Sequence, residues 1–196
     1  MKLLLFSDLH CDAAAAEQLV KLAEDVDVVV GAGDFANCRR GIDQTINVLK
    51  KIVKPSVVVP GNGESIEELC VACQGWQEVH VLPGAGIEIE NVPFYGIGGG
   101  IPVTPFGDWS YDFTEEQAEE RLADCPSNGV IVAHSPPYGI LDGTLGSHSL
   151  LQTIQDKLPR LVVCGHIHSE SGQSQWLENT QVVNAGPRGM MVQLDG

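Results

Sequence analysis

Short apolar runs built largely from branched side chains recur along this chain at helix-length intervals, and each of the main ones stops at a residue able to bind a cation. Leu3-Leu4-Leu5-Phe6 runs into Ser7-Asp8-Leu9-His10, Val28-Val29-Val30 leads to Gly33-Asp34, and Val57-Val58-Val59 to Gly61-Asn62. Val130-Ile131-Val132-Ala133 is followed directly by His134, and Leu161-Val162-Val163 by Cys164 and then Gly165-His166-Ile167-His168. A continuous apolar run without polar alternation suits a strand covered on both faces, and such strands belong mostly to parallel sheets. The polar residue then falls just past the carboxyl end of its strand.

Helical segments fill the intervals. The stretch 13–24 is rich in Ala, Leu and Glu, Ile42, Ile46, Leu49 and Ile52 recur at helical spacing, and 65–72 continues the alternation. With strands over 2–7, 27–32, 56–59 and 79–82, the first half has the rhythm of a parallel α/β sheet. The middle departs from it. Segments 87–90 and 93–97 flank Asn91 as a hairpin, a Gly- and Pro-rich loop follows from Gly98 to Trp109, and Thr114 with Gln117 fits a capping box opening a helix to Asp124. A strand over 130–133, a helix over 149–157 and a strand over 161–164 come next. The tail segments 173–177, 181–184 and 190–194 read as three antiparallel strands. The pattern predicts two mixed sheets with helices over both outer faces, a four-layer αββα sandwich of the α/β class. At 196 residues the expectation is a single domain over 1–196 with one continuous core.

Composition narrows the partners. A formal charge of −15 argues against a nucleic-acid or anionic-membrane surface, which needs a basic patch. The first apolar run stops at Ser7-Asp8, too short for a secretory signal, and no stretch approaches the ~20 apolar residues of a membrane span. The six cysteines are scattered, and the single C-x-x-C at Cys70 and Cys73 has no second pair to complete a zinc site. These features point to a cytoplasmic chain with no membrane partner.

Taken singly, the polar motifs are weak. D-x-H is common, Gly33-Asp34 makes an ordinary turn, and Gly61-Asn62-Gly63 does too. His134 is stronger, because Ser135-Pro136-Pro137 ends the strand directly after it. Gly165-His166-Ile167-His168 is the most specific, since two histidines at i and i+2 past a buried strand lack a structural purpose. Their joint order decides. Asp8, His10, Asp34, Asn62, His134, His166 and His168 leave five strands in the sequence D-x-H, G-D, G-N, H, G-H-x-H, and oxygen and imidazole donors converging in this way suit two divalent cations.

This order resembles the calcineurin-like metallophosphoesterases over nearly the whole chain, and the stretch Gly99 to Phe106 resembles a loop of small single-domain bacterial and archaeal members. The resemblance implies one metal on Asp8, His10, Asp34 and His168 and a second on Asp34, Asn62, His134 and His166, with Asp34 bridging. It implies a phosphohydrolase, a phosphodiesterase before a monoesterase, in which hydroxide generated on the metal pair attacks phosphorus. Two divalent transition-metal ions are expected as cofactors, manganese first, with iron, zinc and nickel also compatible. The substrate is expected to be a small phosphoester or nucleotide.

One departure stands out. Many members carry a histidine directly after the asparagine of the third motif, where it is thought to protonate the leaving alkoxide; here the position is Gly63, followed by Glu64. His148, beyond the Gly143–Gly146 loop, is the candidate replacement proton donor, and Asn37 and Arg39, with Arg40, are candidates for contact with a phosphate oxygen. Phe106, Trp109, Tyr111 and Tyr138 either shape a pocket or cap the packing. Gly63 also motivates an alternative, a metal-binding nucleotide sensor or scaffold with weak turnover.

Overall fold

A computed structural model describes residues 1–194. Its first sheet has the order β11-β1-β2-β3-β4, built from β1 (Lys2–Phe6), β2 (Val28–Ala32), β3 (Ser56–Val59), β4 (Val79–Val81) and β11 (Met190–Gln193). β1 to β4 are parallel, and β11 runs antiparallel to β1. The crossovers are α1 (Ala13–Leu22), α2 (Asp43–Leu49) and α3 (Ile66–Ala72). Asp12 starts α1 by accepting the N–H groups of Ala14 and Ala15, and Ser65 with Glu68 starts α3 through a reciprocal capping box. Each of these satisfies backbone donors that the first turn leaves open.

The second sheet runs β5-β6-β7-β8-β10-β9, from β5 (Ala85–Ile89), β6 (Val92–Ile97), β7 (Val130–Ala133), β8 (Leu161–Cys164), β10 (Thr180–Asn184) and β9 (Gln173–Leu177). α4 (Glu115–Leu122) and α5 (His148–Lys157) cover its outer face. The β5–β6 hairpin turns at Glu90 and Asn91, both at positive φ, as a tight two-residue connection needs. Thr114 and Gln117 form the expected capping box.

Pleating sorts the apolar runs. Leu3, Leu5, Val28, Val30, Val57 and Val59 face the second sheet, whereas Leu4, Phe6, Val29 and Val58 face Leu19, Ile46, Leu49, Leu69 and Trp76 under the helices. The interior is therefore three apolar layers in the four-layer sandwich, not the one continuous core expected. The helices are also shorter than the periodicity predicts. α1 gives way to a 3₁₀ turn over Ala23–Asp25, and α2 stops at Leu49. The larger correction concerns the tail. Of its three strands, β9 and β10 pair with each other antiparallel, but β10 lies parallel to β8 on its other side, and β11 crosses to the other sheet. Local alternation identifies a strand, but its neighbour is chosen by which sheet edge is open.

The carboxyl ends of β1, β2, β3, β7 and β8 reach one edge of the sandwich, where loops bond within each sheet and the His166 N–H meets Asp8 Oδ1 across the two sheets at 3.0 Å. The Gly165 N–H donates to the His134 carbonyl at 3.0 Å, Asp8 N–H to Gly33 at 2.9 Å and His10 N–H to Asp34 at 2.9 Å. Ligand sites in α/β sheets favour this location, outside the carboxyl ends of the strands.

Candidate metal centre

All seven predicted donors meet at this edge. Asp34 Oδ2 lies 3.5 Å from His10 Nε2, and its Oδ1 lies 3.5 Å from His134 Nε2. His168 Nε2 is 3.0 Å from His10 Nε2 and 3.7 Å from Asp8 Oδ1. Asn62 Oδ1 is 3.1 Å from both His134 Nε2 and His166 Nδ1. Two adjoining groups result, Asp8 with His10 and His168, and Asp8 with Asp34 and His134, and within each group the ligating atoms lie within 4.8 Å of one another.

The backbone is strained to reach this arrangement. Asp8, His10, Asp34 and His166 all have φ between 44° and 66°, a region uncommon for residues other than glycine. Each such residue costs about 1–3 kcal/mol and persists only where surrounding contacts hold it. The glycines before the ligands allow the loops to touch: a Cβ on Gly61 would overlap the Asp34 carboxylate, and one on Gly165 would overlap Asp8 and Ser7.

The donor chemistry fits a cation. His134 Nδ1 lies 2.8 Å from the Ala32 carbonyl and His10 Nδ1 3.2 Å from that of Ala36, so each ring when neutral carries its proton there and turns a bare Nε2 inward. The Asn62 amide is oriented by its Nδ2, which donates to Ser110 Oγ at 3.0 Å, and its oxygen therefore faces the His134 lone pair. Acceptor is set against acceptor, which a positive ion between them reconciles. Burial, then the neighbouring His134, pushes the His166 imidazole down to about 3, so it stays neutral with a lone pair to give. Burial opposes charge on His134 as well, but the Asp34 and Asp8 carboxylates outweigh it and raise that group.

Three supporting residues were not expected from the sequence. Glu64 is fully buried and accepts the backbone N–H groups of Gly61 at 2.7 Å, Ala36 at 2.8 Å and Asp34 at 2.9 Å, tying two ligand loops together. Burial, then the charge of Asp34, pushes its carboxyl up to about 7. Asn184 donates to the carbonyls of Gly165 and Ile167, both at 3.0 Å, and so brackets His166. Ser7 donates to Asp8 Oδ2 and accepts the Gly186 N–H. Glu64 did leave a trace in the sequence: it is an acid beside a helix whose capping box is already completed by Glu68.

The cluster opens into a cleft of about 450 Å³ lined by His10, Asp34, Asn62, His166 and His168 together with Phe106, Trp109, Gly143 and Leu145. The other predicted residues lie elsewhere. His148 begins α5, stacks on Tyr138 with centroids 3.9 Å apart, and lines a separate hollow with Glu119 and Gln152, so it faces away from the cluster. Arg39 is held by Glu68 at 2.6 Å, and neither it nor Asn37 lines the cleft. Of the aromatics, Phe106 and Trp109 line the cleft, whereas Tyr111 packs edge-on against Phe113.

Known proteins resemble this chain in sequence or in fold. A Caenorhabditis elegans UPF0046 protein, K07C11.7, is 28% identical over 215 residues, covering 94% of this chain and 69% of its own length. The crystal structure of TT1561 from Thermus thermophilus superposes with a TM-score of 0.79 at 20% identity, covering 95% of this chain and 90% of that one. A dimetal phosphatase from Danio rerio has a TM-score of 0.67 at 14% identity, covering 95% and 88%. At these identities the two solved structures establish the shared architecture alone. The calcineurin-like phosphoesterase superfamily domain model matches residues 1–195, and the chain belongs to that superfamily.

Proposed function

We propose that this protein is a phosphodiesterase with a dinuclear centre, one divalent ion held by Asp8, His10, Asp34 and His168 and the other by Asp34, Asn62, His134 and His166. The observation that carries the reading is Asp34, whose two oxygens face His10 and His134 at 3.5 Å each and so point into both halves of the cluster. Carboxylates mixed with imidazoles suit manganese, iron, zinc or nickel, and the family resemblance puts manganese first. Bound there, the ions would supply Lewis acidity and an acidified water for in-line displacement at phosphorus.

The chain's own residues position and limit this chemistry. Ser7 and the His166 N–H, at 3.0 Å, grip the Asp8 carboxylate, and the Gly63 N–H holds Asp34 Oδ1 at 2.7 Å. Gly63 offers the leaving oxygen no side-chain proton, and a Cβ there would lie 3.0 Å from Asp34 Oδ1 and 3.1 Å from the Ala36 carbonyl. Absence of a general acid costs about 10²–10⁴-fold, so esters with acidic leaving groups react best. Among the described residues no lysine or arginine lines the cleft, which supports a monoanionic diester over a dianionic monoester.

The test is hydrolysis of bis(4-nitrophenyl) phosphate with added Mn²⁺. Wild type is expected to turn over, and Asp34→Asn to lose turnover together with part of its bound manganese by elemental analysis. Equal activity in the two proteins would remove the proposal. Gly63 alone favours a second reading, a metal-binding nucleotide sensor or scaffold: tight nucleotide binding with no hydrolysis of any diester or monoester would establish it. The acidic balance supports a small phosphoester or nucleotide as substrate in preference to nucleic acid. The six free thiols support a cytoplasmic setting.

A further inference from the structure

The cleft has an aromatic wall beside the ligand cluster, and it is anchored to one of the ligands. The loop between β6 and α4 is fastened at its base: Tyr111 N–H donates to the Asn62 carbonyl at 3.0 Å, and Asn62 Nδ2 donates to Ser110 Oγ at 3.0 Å. Ser110 Oγ donates onward to Asp112 Oδ1 at 2.7 Å, and Asp112 Oδ2 accepts the Thr104 N–H and hydroxyl at 2.8 and 2.7 Å. The same asparagine that faces His134 and His166 with its oxygen thus holds this loop with its nitrogen.

From that base the loop presents Phe106 stacked on Trp109, centroids 5.9 Å apart and planes 10° from parallel. Phe106 lies 6.3 Å from the His166 ring and is 45% exposed, and Leu145, which also lines the cleft, is 39% exposed. Large apolar side chains left open in a cleft beside convergent polar groups are the usual composition of a small-molecule site. The anchored wall is pre-organised, so little freedom is lost when a ring stacks on it.

Two further features narrow the ligand. Among the described residues no lysine or arginine lines the cleft, so a polyphosphate tail reaching beyond the metal ligands finds no cationic side chain there. Gly63 provides no proton for a departing alkoxide, so the leaving oxygen must be stable as an anion. A phenolic oxygen meets that condition, and its ring matches the wall.

We infer that the cleft selects phosphodiesters of aromatic, acidic hydroxyl compounds, with the ring of the leaving group stacked on Phe106 and Trp109 as the specificity-determining residues. The reacting step is displacement by water: a P–O bond forms to the water oxygen, the P–O bond to the phenol breaks, the phenolate takes the bonding pair, and the water proton passes to solvent. The substrate class rests on the phosphodiesterase reading, whereas the ring-binding wall does not depend on turnover.

The test uses manganese-loaded full-length protein and two monoanions whose P–C bonds do not hydrolyse, methylphenylphosphinate and dimethylphosphinate, titrated by calorimetry. The phenyl compound is expected to bind about tenfold more tightly, the scale of one aromatic contact. Phe106→Ala is expected to remove that preference, and Phe106→Leu to restore part of it, with thermal melts showing that both variants fold. A parallel series of aryl methyl phosphates should hydrolyse more slowly as the phenol becomes less acidic. Equal affinity for the two phosphinates, or a preference that survives Phe106→Ala, overturns the inference. If that happens while manganese is bound and diesters still turn over, the phosphodiesterase reading stands. If no manganese binds, that reading falls with it.

Discussion

Asp34 occupies the point where the β2 loop meets both the β1 loop and the end of β7, and its left-handed backbone is held from behind. Glu64 supplies that support through the N–H groups of Asp34, Ala36 and Gly61. Replacing it, Glu64→Ala, leaves three buried donors without a partner, at about 1–3 kcal/mol each. The expected loss is about 3 kcal/mol or more in a urea melt of the metal-free protein, with lower manganese occupancy in the reconstituted variant. An unchanged melt would show that water replaces the carboxylate. The strand-end position of all seven side chains was legible in the sequence, because each lies within four residues of the end of an apolar run. Glu64 and Asn184 were not, because what they bind is backbone that only the fold brings near.

Among the elements, α4 and α5 show how one side chain joins two helices. The Glu115 carboxylate in the first turn of α4 accepts the N–H groups of His148 and Ser149, both at 2.9 Å, and the Ser147 hydroxyl at 2.9 Å, and so caps α5. Partial burial alone would raise its carboxyl, but the hydrogen bonds from Ser149, His148 and Ser147 outweigh this and hold it below the ordinary value of 4.5. A folded-state value below the unfolded one gives stability that is present above about pH 4.5 and lost as pH falls through the lowered value. Glu115→Gln is therefore expected to destabilise by about 1 kcal/mol at pH 7, reduced by solvent screening, and the gap to wild type should narrow at a pH below the ordinary value of about 4.5. Melts at the two pH values measure it, and a gap independent of pH would show that charge plays no part. The capping boxes of α3 and α4 were open to prediction because they are local; this cap joins residues more than thirty positions apart and was not. The same cap explains the correction at His148, whose N–H is tied to Glu115 and whose ring rests on Tyr138.

For the molecule as a whole, folding concentrates buried acids at one edge of a chain already at −15. Asp8, Asp34 and Glu64 are each at most 6% exposed and lie side by side. A cation that binds this edge in the folded state alone stabilises it by about 2.7 kcal/mol at a hundred times its Kd. At about 2–4 °C per kcal/mol for a chain of this size, adding Mn²⁺ to the EDTA-treated protein is expected to raise Tm by about 5–10 °C. The rise should shrink in Asp34→Asn. Scanning fluorimetry reads both, and an equal shift in the two proteins would place the binding elsewhere.

Apolar periodicity and the residue that ends each run are local properties, so the strands and helices, the mixed two-sheet class and the seven donors could all be read from the order of residues. The pairing of the tail strands could not, and packing sent β11 to β1 and set β10 beside β8. Packing also made Arg39 serve Glu68, turned His148 from the cleft, and walled that cleft with Phe106 and Trp109. Those outcomes depend on contacts between distant segments, such as the His166 N–H meeting Asp8 across 158 positions. No local pattern encodes such a meeting; it follows from how two twisted sheets pack and where their strand ends emerge.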